Sequence, residues 1–260
     1  MSEPDWTTNK VAAGGMGNTV LYRMVKDYPG HTCPDIVRDK MMIIGRVYSA
    51  AVTRGVGERG GEIEAAIDLY DHLAQHIVSV GCELDKQIDS LRHLGRLDLS
   101  NLRSVIEAHS FLNGVISDSI RGWRGRDGDH DRERPARYSF VSKYLHFHAP
   151  MSFFIYDSVV SATLRKLRNP RARAPWPRDL EKQYRTPYGK HCVHMLSCAE
   201  AYYSGIQWTP RLIDGHLMGY IKDKRIPCAI RKARDERDQD DQARAAKRRA
   251  DKTRNKSAGE

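Results

Sequence analysis

Apolar residues recur at three- and four-residue intervals along most of the chain, which is the spacing of amphipathic helices. Val37, Met41, Ile44, Tyr48 and Ala51 line one face of a helix predicted over 35–53, and Met42, Ile43 and Ala50 extend its apolar character round the other side. A helix apolar nearly all round belongs in the middle of a domain. Arg46 within it then needs a carboxylate, a carbonyl or a ligand phosphate to offset desolvation. Further helices are predicted over 18–25, 62–80, 84–94, 99–120 (capped by Ser100 or Asn101), 138–148 (ended by Pro150), 189–204 and 210–222, with another opened by Asp157. Phe153–Tyr156 is the one short extended apolar segment. The expected fold class is therefore all-α, a compact multi-helix domain over 1–228 followed by a charged C-terminal tail over 229–260.

Two stretches interrupt this pattern. Residues 121–137 read RGWRGRDGDHDRERPAR, with three glycines, alternating charges and Pro135. They are expected to form a flexible or ligand-responsive loop within the domain. The tail has 11 basic and 7 acidic residues and almost no large apolar group. It is expected to be weakly ordered, or helical by propensity, and to pack no core.

Composition narrows the function classes. A chain of 260 residues can bury one sizeable core. Its longest aliphatic run is the four residues Met41–Ile44, far short of the roughly 20 that span a bilayer. The segment Met1–Lys10 is polar and acidic, unlike a signal peptide. An odd count of five cysteines fits a reducing compartment. A cytoplasmic protein without a membrane segment is expected. The net charge of +10 points towards anionic partners, and its location sharpens the point. Residues 165–190 hold nine basic and two acidic residues, interleaved with Trp176, Tyr184 and Tyr188. Such side chains neutralise phosphates and stack on bases, although a solvated basic loop has the same composition.

The candidate chemistry lies in Ser139–Leu167, SFVSKYLHFHAPMSFFIYDSVVSATLRKL. A helix rich in Lys and His runs into a Pro-marked turn, and an apolar segment delivers Asp157 to the start of the next helix. As an N-cap, Asp157 is worth about 0.5–2 kcal/mol. As a carboxylate beside buried aromatics, it can also stabilise an oxocarbenium-like transition state or orient a water. Glu62 and Glu64 are backup carboxylates that also suit a helix N-terminus. His191, His194 and Cys198 fall on one helix face with Cys192 nearby, but one helix rarely completes a zinc site, so no metal or cofactor is expected. Gly14-Gly15-Met16-Gly17-Asn18 lacks the lysine and the strand of a phosphate loop.

The helix, apolar turn, Asp and helix resemble the second half of the helix-hairpin-helix DNA glycosylase core. Phe154-Ile155-Tyr156-Asp157 stands where that superfamily has apolar-Pro-apolar-Asp, and Ser142-Lys143-Tyr144-Leu145 matches its second hairpin helix. The resemblance makes Asp157 the catalytic carboxylate. The superfamily hairpin Leu-Pro-Gly-apolar-Gly is missing, since residues 127–138 read DGDHDRERPARY. Arg132, Arg134 and Arg137 are candidates to hold phosphate in its stead, together with Arg124, Arg165, Lys166, Arg168, Arg171 and Arg173. The hairpin lysine of imine chemistry is also absent from its usual place. Lys143 is the nearest candidate, so hydrolysis by water is expected over lyase chemistry, with a phosphate contact or salt bridge as the plainer role for Lys143.

A wider pattern of Asn18, Ile44-Gly45-Arg46-Val47-Tyr48-Ser49-Ala50, SKYLHFH and IYDS looks like bacterial antiphage DNA glycosylases that remove glucosylated hydroxymethylcytosine from phage DNA. The implied partner is DNA carrying a modified base flipped into a pocket. Asn18, Arg46, Tyr48, His146, His148 and Tyr156 are the residue types such a pocket uses. Asn18 also reads as a helix cap, and His146 and His148 as satisfied core histidines. Two rival classes are a DNA-binding protein without chemistry and another nucleic-acid hydrolase, such as a nuclease, which would need clustered acidic metal ligands.

Overall fold

A computed structural model of the chain describes residues 16–47, 63–94, 96–124, 137–167, 176–178, 180–205, 207–219 and 226–257. Among the described residues there are ten α-helices, one 3-10 turn and no strand, so the fold is all-α as expected. In chain order the helices are α1 (Met16–Asp27), α2 (Pro34–Val47), α3 (Ile63–Ser79), α4 (Gly81–Leu94), α5 (Leu102–Arg124) and α6 (Tyr138–His148). They continue as α7 (Ser158–Lys166), α8 (Pro187–Tyr202), α9 (Pro210–Met218) and α10 (Cys228–Ser257).

The core is built around α6, which packs against α1, α2 and α5. Every residue from Phe140 to His148 is buried, so this helix lacks the polar face of an amphipathic surface helix. The long α5 runs alongside α3, α4, α6 and α8. The predicted stripe Val37, Met41 and Ile44 of α2 is buried with α6, while Met42 and Ile43 are partly buried. Residues 48–53 of that predicted helix lie outside the described residues. At the start of α5, Asn101 holds the capping position through its backbone carbonyl, which accepts from Val105 N–H. Its side chain turns back to accept from Asp98 N–H at 2.9 Å.

The second layer is α7 with α8, α9 and α10 packed round it. Its helix starts follow rules legible in the sequence. Thr186 and Thr209 accept from Gly189 and Leu212 N–H at 3.0 and 3.1 Å, and Pro187 and Pro210 occupy the first turns of α8 and α9. Gly219 ends α9 at φ +100°, where a Cβ would meet the Arg234 side chain of α10 at 2.8 Å.

Two expectations are corrected. α5 continues through Arg124, so the polar break starts later than residue 121, and Trp123 packs against His72 at a ring distance of 5.2 Å. The rest of the break, 125–136, lies outside the described residues. The tail is helical, but its first third does pack. Ile230 and Ala233 are buried against the core, and Arg237 donates to Thr163 Oγ1 (2.8 Å) and Leu217 O (3.0 Å). A single large apolar residue suffices here because a buried guanidinium with good acceptors supplies the rest of the contact.

Candidate functional site

The site is assembled where α6 turns into α7. Residues 153–157 are extended but have no neighbouring strand, so their backbone groups need other partners. Side chains of α6 and α8 supply them. His146 Nδ1 donates to Phe153 O (2.8 Å), Tyr188 Oη to Phe154 O (3.0 Å) and His191 Nε2 to Ile155 O (2.9 Å). Tyr156 N–H donates to Ser142 Oγ (2.9 Å). Three successive carbonyls and one amide are thus riveted to α6 and α8, and the segment delivers Asp157 in a fixed position.

Asp157 is the N-cap of α7, with Oδ1 accepting from Val159 N–H at 2.8 Å. Its other oxygen lies 3.5 Å from Lys143 Nζ. The carboxylate side chain is 20% exposed, whereas Lys143 is 3% exposed. Lys143 also donates to Ser139 Oγ at 2.8 Å. Burial holds its ammonium below the ordinary lysine value, although Asp157 and then Asp214 pull the other way. Asp214 is itself buried on α9 and paired with the buried Arg211 at 3.0 Å.

Beside this carboxylate lies an open cleft of about 470 Å3, lined by Tyr156, Ser161, Leu164 and Arg165 on one side and Pro187, Lys190, His191 and His194 on the other. Ser161 and Arg165 follow Asp157 at i+4 and i+8, so they share its helix face. The cleft wall is aromatic as well as cationic. Tyr156 meets His191 edge-on at 5.1 Å and Tyr138 at 5.9 Å. Tyr138 leads inwards to His109, which stacks on Tyr188 at 3.7 Å. Cationic and aromatic groups in an open groove can hold a phosphate and a planar ring near a carboxylate.

The predicted site residues divide into several groups. Asp157, Lys143 and Tyr156 are brought together, and Tyr156 and Arg165 line the cleft beside them. Arg137 sits at the start of α6, where its N–H donates to Asn113 Oδ1 at 2.9 Å. Lys166 turns away and pairs with Asp240 of α10 instead of standing ready for phosphate. His146 and His148 are corrected from pocket residues to core residues. His146 Nε2 accepts from Tyr22 Oη at 2.7 Å, and burial pushes its ring down to about 3. His148 Nδ1 donates to Tyr144 O at 2.9 Å while its Nε2 faces Lys40 Nζ at 3.2 Å, so neither nitrogen is open to a base. Asn18 is buried on α1, one turn before Tyr22. Arg46 and Arg124 belong to α2 and α5, and their side chains fall outside the description. Tyr48, Arg132, Arg134, Arg168, Arg171 and Arg173 lie outside the described residues.

His191 and Cys198, weighed as zinc ligands, are buried while His194 is exposed, so the three do not converge. Among the described residues no group of three or more His, Cys, Asp or Glu is placed to hold a metal. No described helix is long and apolar enough to cross a membrane. Tyr138, Ser139, Arg211 and Asp214 are the site neighbours that sequence reasoning missed, whereas Lys190 belongs to the basic stretch it read as phosphate-binding. The available signal was the unpaired extended segment, which in an all-α chain demands side-chain donors. No family model matches the chain, and no curated protein or solved structure matches it significantly.

Proposed function

We propose that this protein is a DNA glycosylase that hydrolyses the N-glycosidic bond of a flipped, modified base and leaves an abasic site. The substrate we favour is glucosylated hydroxymethylcytosine in phage DNA, which would make the enzyme an antiviral defence acting in the cytoplasm. The observation that carries the reading is Asp157, a carboxylate fixed by its cap bond, backed by a buried ammonium and part-exposed beside a cationic, aromatic cleft. In the reaction the C1′–N bond breaks and its electron pair leaves with the base. Asp157 stabilises the developing sugar cation and aligns a water. The water oxygen bonds to C1′, and its proton passes to the carboxylate or to solvent while the base is protonated. Lys143 orients the second oxygen of Asp157. Arg165 and Lys190 hold flanking phosphates, and Tyr156 stacks on the extruded nucleoside.

The test is base release. The protein is incubated with ordinary DNA and with DNA carrying glucosylated hydroxymethylcytosine, and freed bases are measured by mass spectrometry. The expected result is free modified base from the wild type and a loss of about a hundredfold or more in Asp157→Asn. Asparagine caps about as well as aspartate, so the variant folds and the loss is chemical. No free base from either DNA would overturn the reading. A second reading is favoured by the cap bond itself, namely a DNA-binding protein in which Asp157 only starts α7. Binding that is retained with no base release from the wild type selects that one.

A further inference from the structure

The charge on α10 is sorted along its length. Residues 228–241 carry four basic and five acidic side chains, whereas 242–257 carry seven basic ones and a single acid, Asp251. The balanced part is the docked part. It is held by buried Ile230 and Ala233, by Arg237 on Thr163 and Leu217, and by the ion pair of Asp240 with Lys166. From 241 to 251 every residue is exposed. The run 241–251, about 16 Å of helix, therefore stands clear of the core, and the sequence from 242 onward carries a large positive excess.

Asp240 precedes Arg244 at i and i+4 and offsets part of its charge, but Arg244 and Arg248 are themselves a like-charged pair at that spacing, which repels. Phosphates along a duplex would relieve that repulsion and release counterions. An anionic membrane is a poorer match, since 242–257 contains no large apolar side chain to insert. The position also fits. The arm continues the docked part of α10, which packs on α7, the helix that also carries Arg165 of the cleft and Lys166, the partner of Asp240.

We propose that residues 242–257 of α10 form a basic arm that lies along the phosphate backbone of duplex DNA engaged at the cleft. The choice of polyanion rests on the proposed reading of the cleft as a DNA site. The test replaces Arg244, Lys247 and Arg248, which share one face at i, i+3 and i+4, with glutamine in the full chain. Binding to a fluorescent unmodified duplex of roughly 20 base pairs is followed by anisotropy between about 0.05 and 0.3 M salt. The expected result is a slope of log K against log salt that flattens by about 2.7, with affinity down roughly a hundredfold at 0.1 M salt. The double variant Arg244→Lys, Arg248→Lys keeps the charge and retains wild-type binding. Circular dichroism confirms that helix content is equal in all forms.

An unchanged affinity and slope in the glutamine variant overturns the arm, as does a wild type that fails to bind the duplex. So does a variant that loses binding to phosphatidylserine vesicles while its duplex affinity stays put. The two proposals fail separately. Weakened duplex binding without any base release sinks the catalytic reading alone, and intact base release with unchanged duplex binding sinks the arm alone.

Discussion

Four histidines, His109, His146, His148 and His191, are buried in the core with at least one ring nitrogen spent on a backbone carbonyl. Burial is the main cause of their lowered affinity for protons, which holds His109 and His146 at about 3, His191 at about 4 and His148 well below the usual histidine value. In the unfolded chain the same rings titrate near 6.5. Below that pH the unfolded state takes up protons that the folded state refuses, so stability must fall as pH drops from 6.5 towards the folded values. Between pH 7 and 5.5 each ring costs about 1.2 kcal/mol, so the three with stated values together cost about 4 kcal/mol, and His148 adds to this. Asp85 and Asp98 are held below the ordinary carboxylate value and do not titrate in that window. A loss of this size is a large part of the 5–15 kcal/mol that typically holds a domain together. Urea unfolding followed by circular dichroism at pH 7, 6.5, 6 and 5.5 measures it, with the midpoint falling steadily and the slope m unchanged. A midpoint that stays flat or rises over this range would refute the argument. The rings would then be solvated or already charged in the folded protein, and the riveting of the Phe153–Ile155 carbonyls would lose its basis.

Three further outcomes follow from single contacts. Tyr188→Phe removes the donor to Phe154 O and strands a buried carbonyl, so it should cost about 1–2 kcal/mol in urea unfolding; a neutral result would show that the riveting carries no weight. In Gly81→Ala the new Cβ would lie 2.4 Å from His31 O, which is backbone and yields little, so stability should drop by about 1–3 kcal/mol, read as a lowered melting temperature. Lys143→Met removes one partner of the pair and the donor to Ser139 Oγ, but Asp157 is 20% exposed and keeps its cap bond, so the cost should stay within about 1–2 kcal/mol while base release falls; a loss of several kcal/mol would make the Lys143–Asp157 pair structural.

Much of this architecture is legible in the chain. The span 138–148, the Asp157 cap and the Thr-Pro starts of α8 and α9 are local signals, set by periodicity and by the chemistry of the first turn. What escapes is non-local. His146 looks the same in sequence whether it faces a base or a carbonyl, and its acceptor lies seven residues on at Phe153. The partners of Phe154 and Ile155 are 34 and 36 residues away. The docked end of α10 was hidden for the same reason. Its contact face is Ile230, Ala233 and Arg237, and nothing near Arg237 in sequence announces that Thr163 and Leu217 will receive it.

The Lys143–Asp157 pair bears on what Asp157 is for. A cap needs one carboxylate oxygen and one amide, and Oδ1 with Val159 N–H meets that need in full. Nothing about starting a helix calls for an ammonium behind the second oxygen. Yet Lys143 is buried there, at a separation of 3.5 Å, and near the Arg211–Asp214 pair as well. Taking an ammonium out of water costs several kcal/mol, and its lowered proton affinity shows that burial outweighs the pull of Asp157 and Asp214, beside the bond to Ser139 Oγ. Groups retained against stability and shifted from their ordinary proton affinity concentrate where chemistry is done. On the proposed reading the second oxygen is the one that acts on the sugar, since it is left off the helix and faces a buried cation.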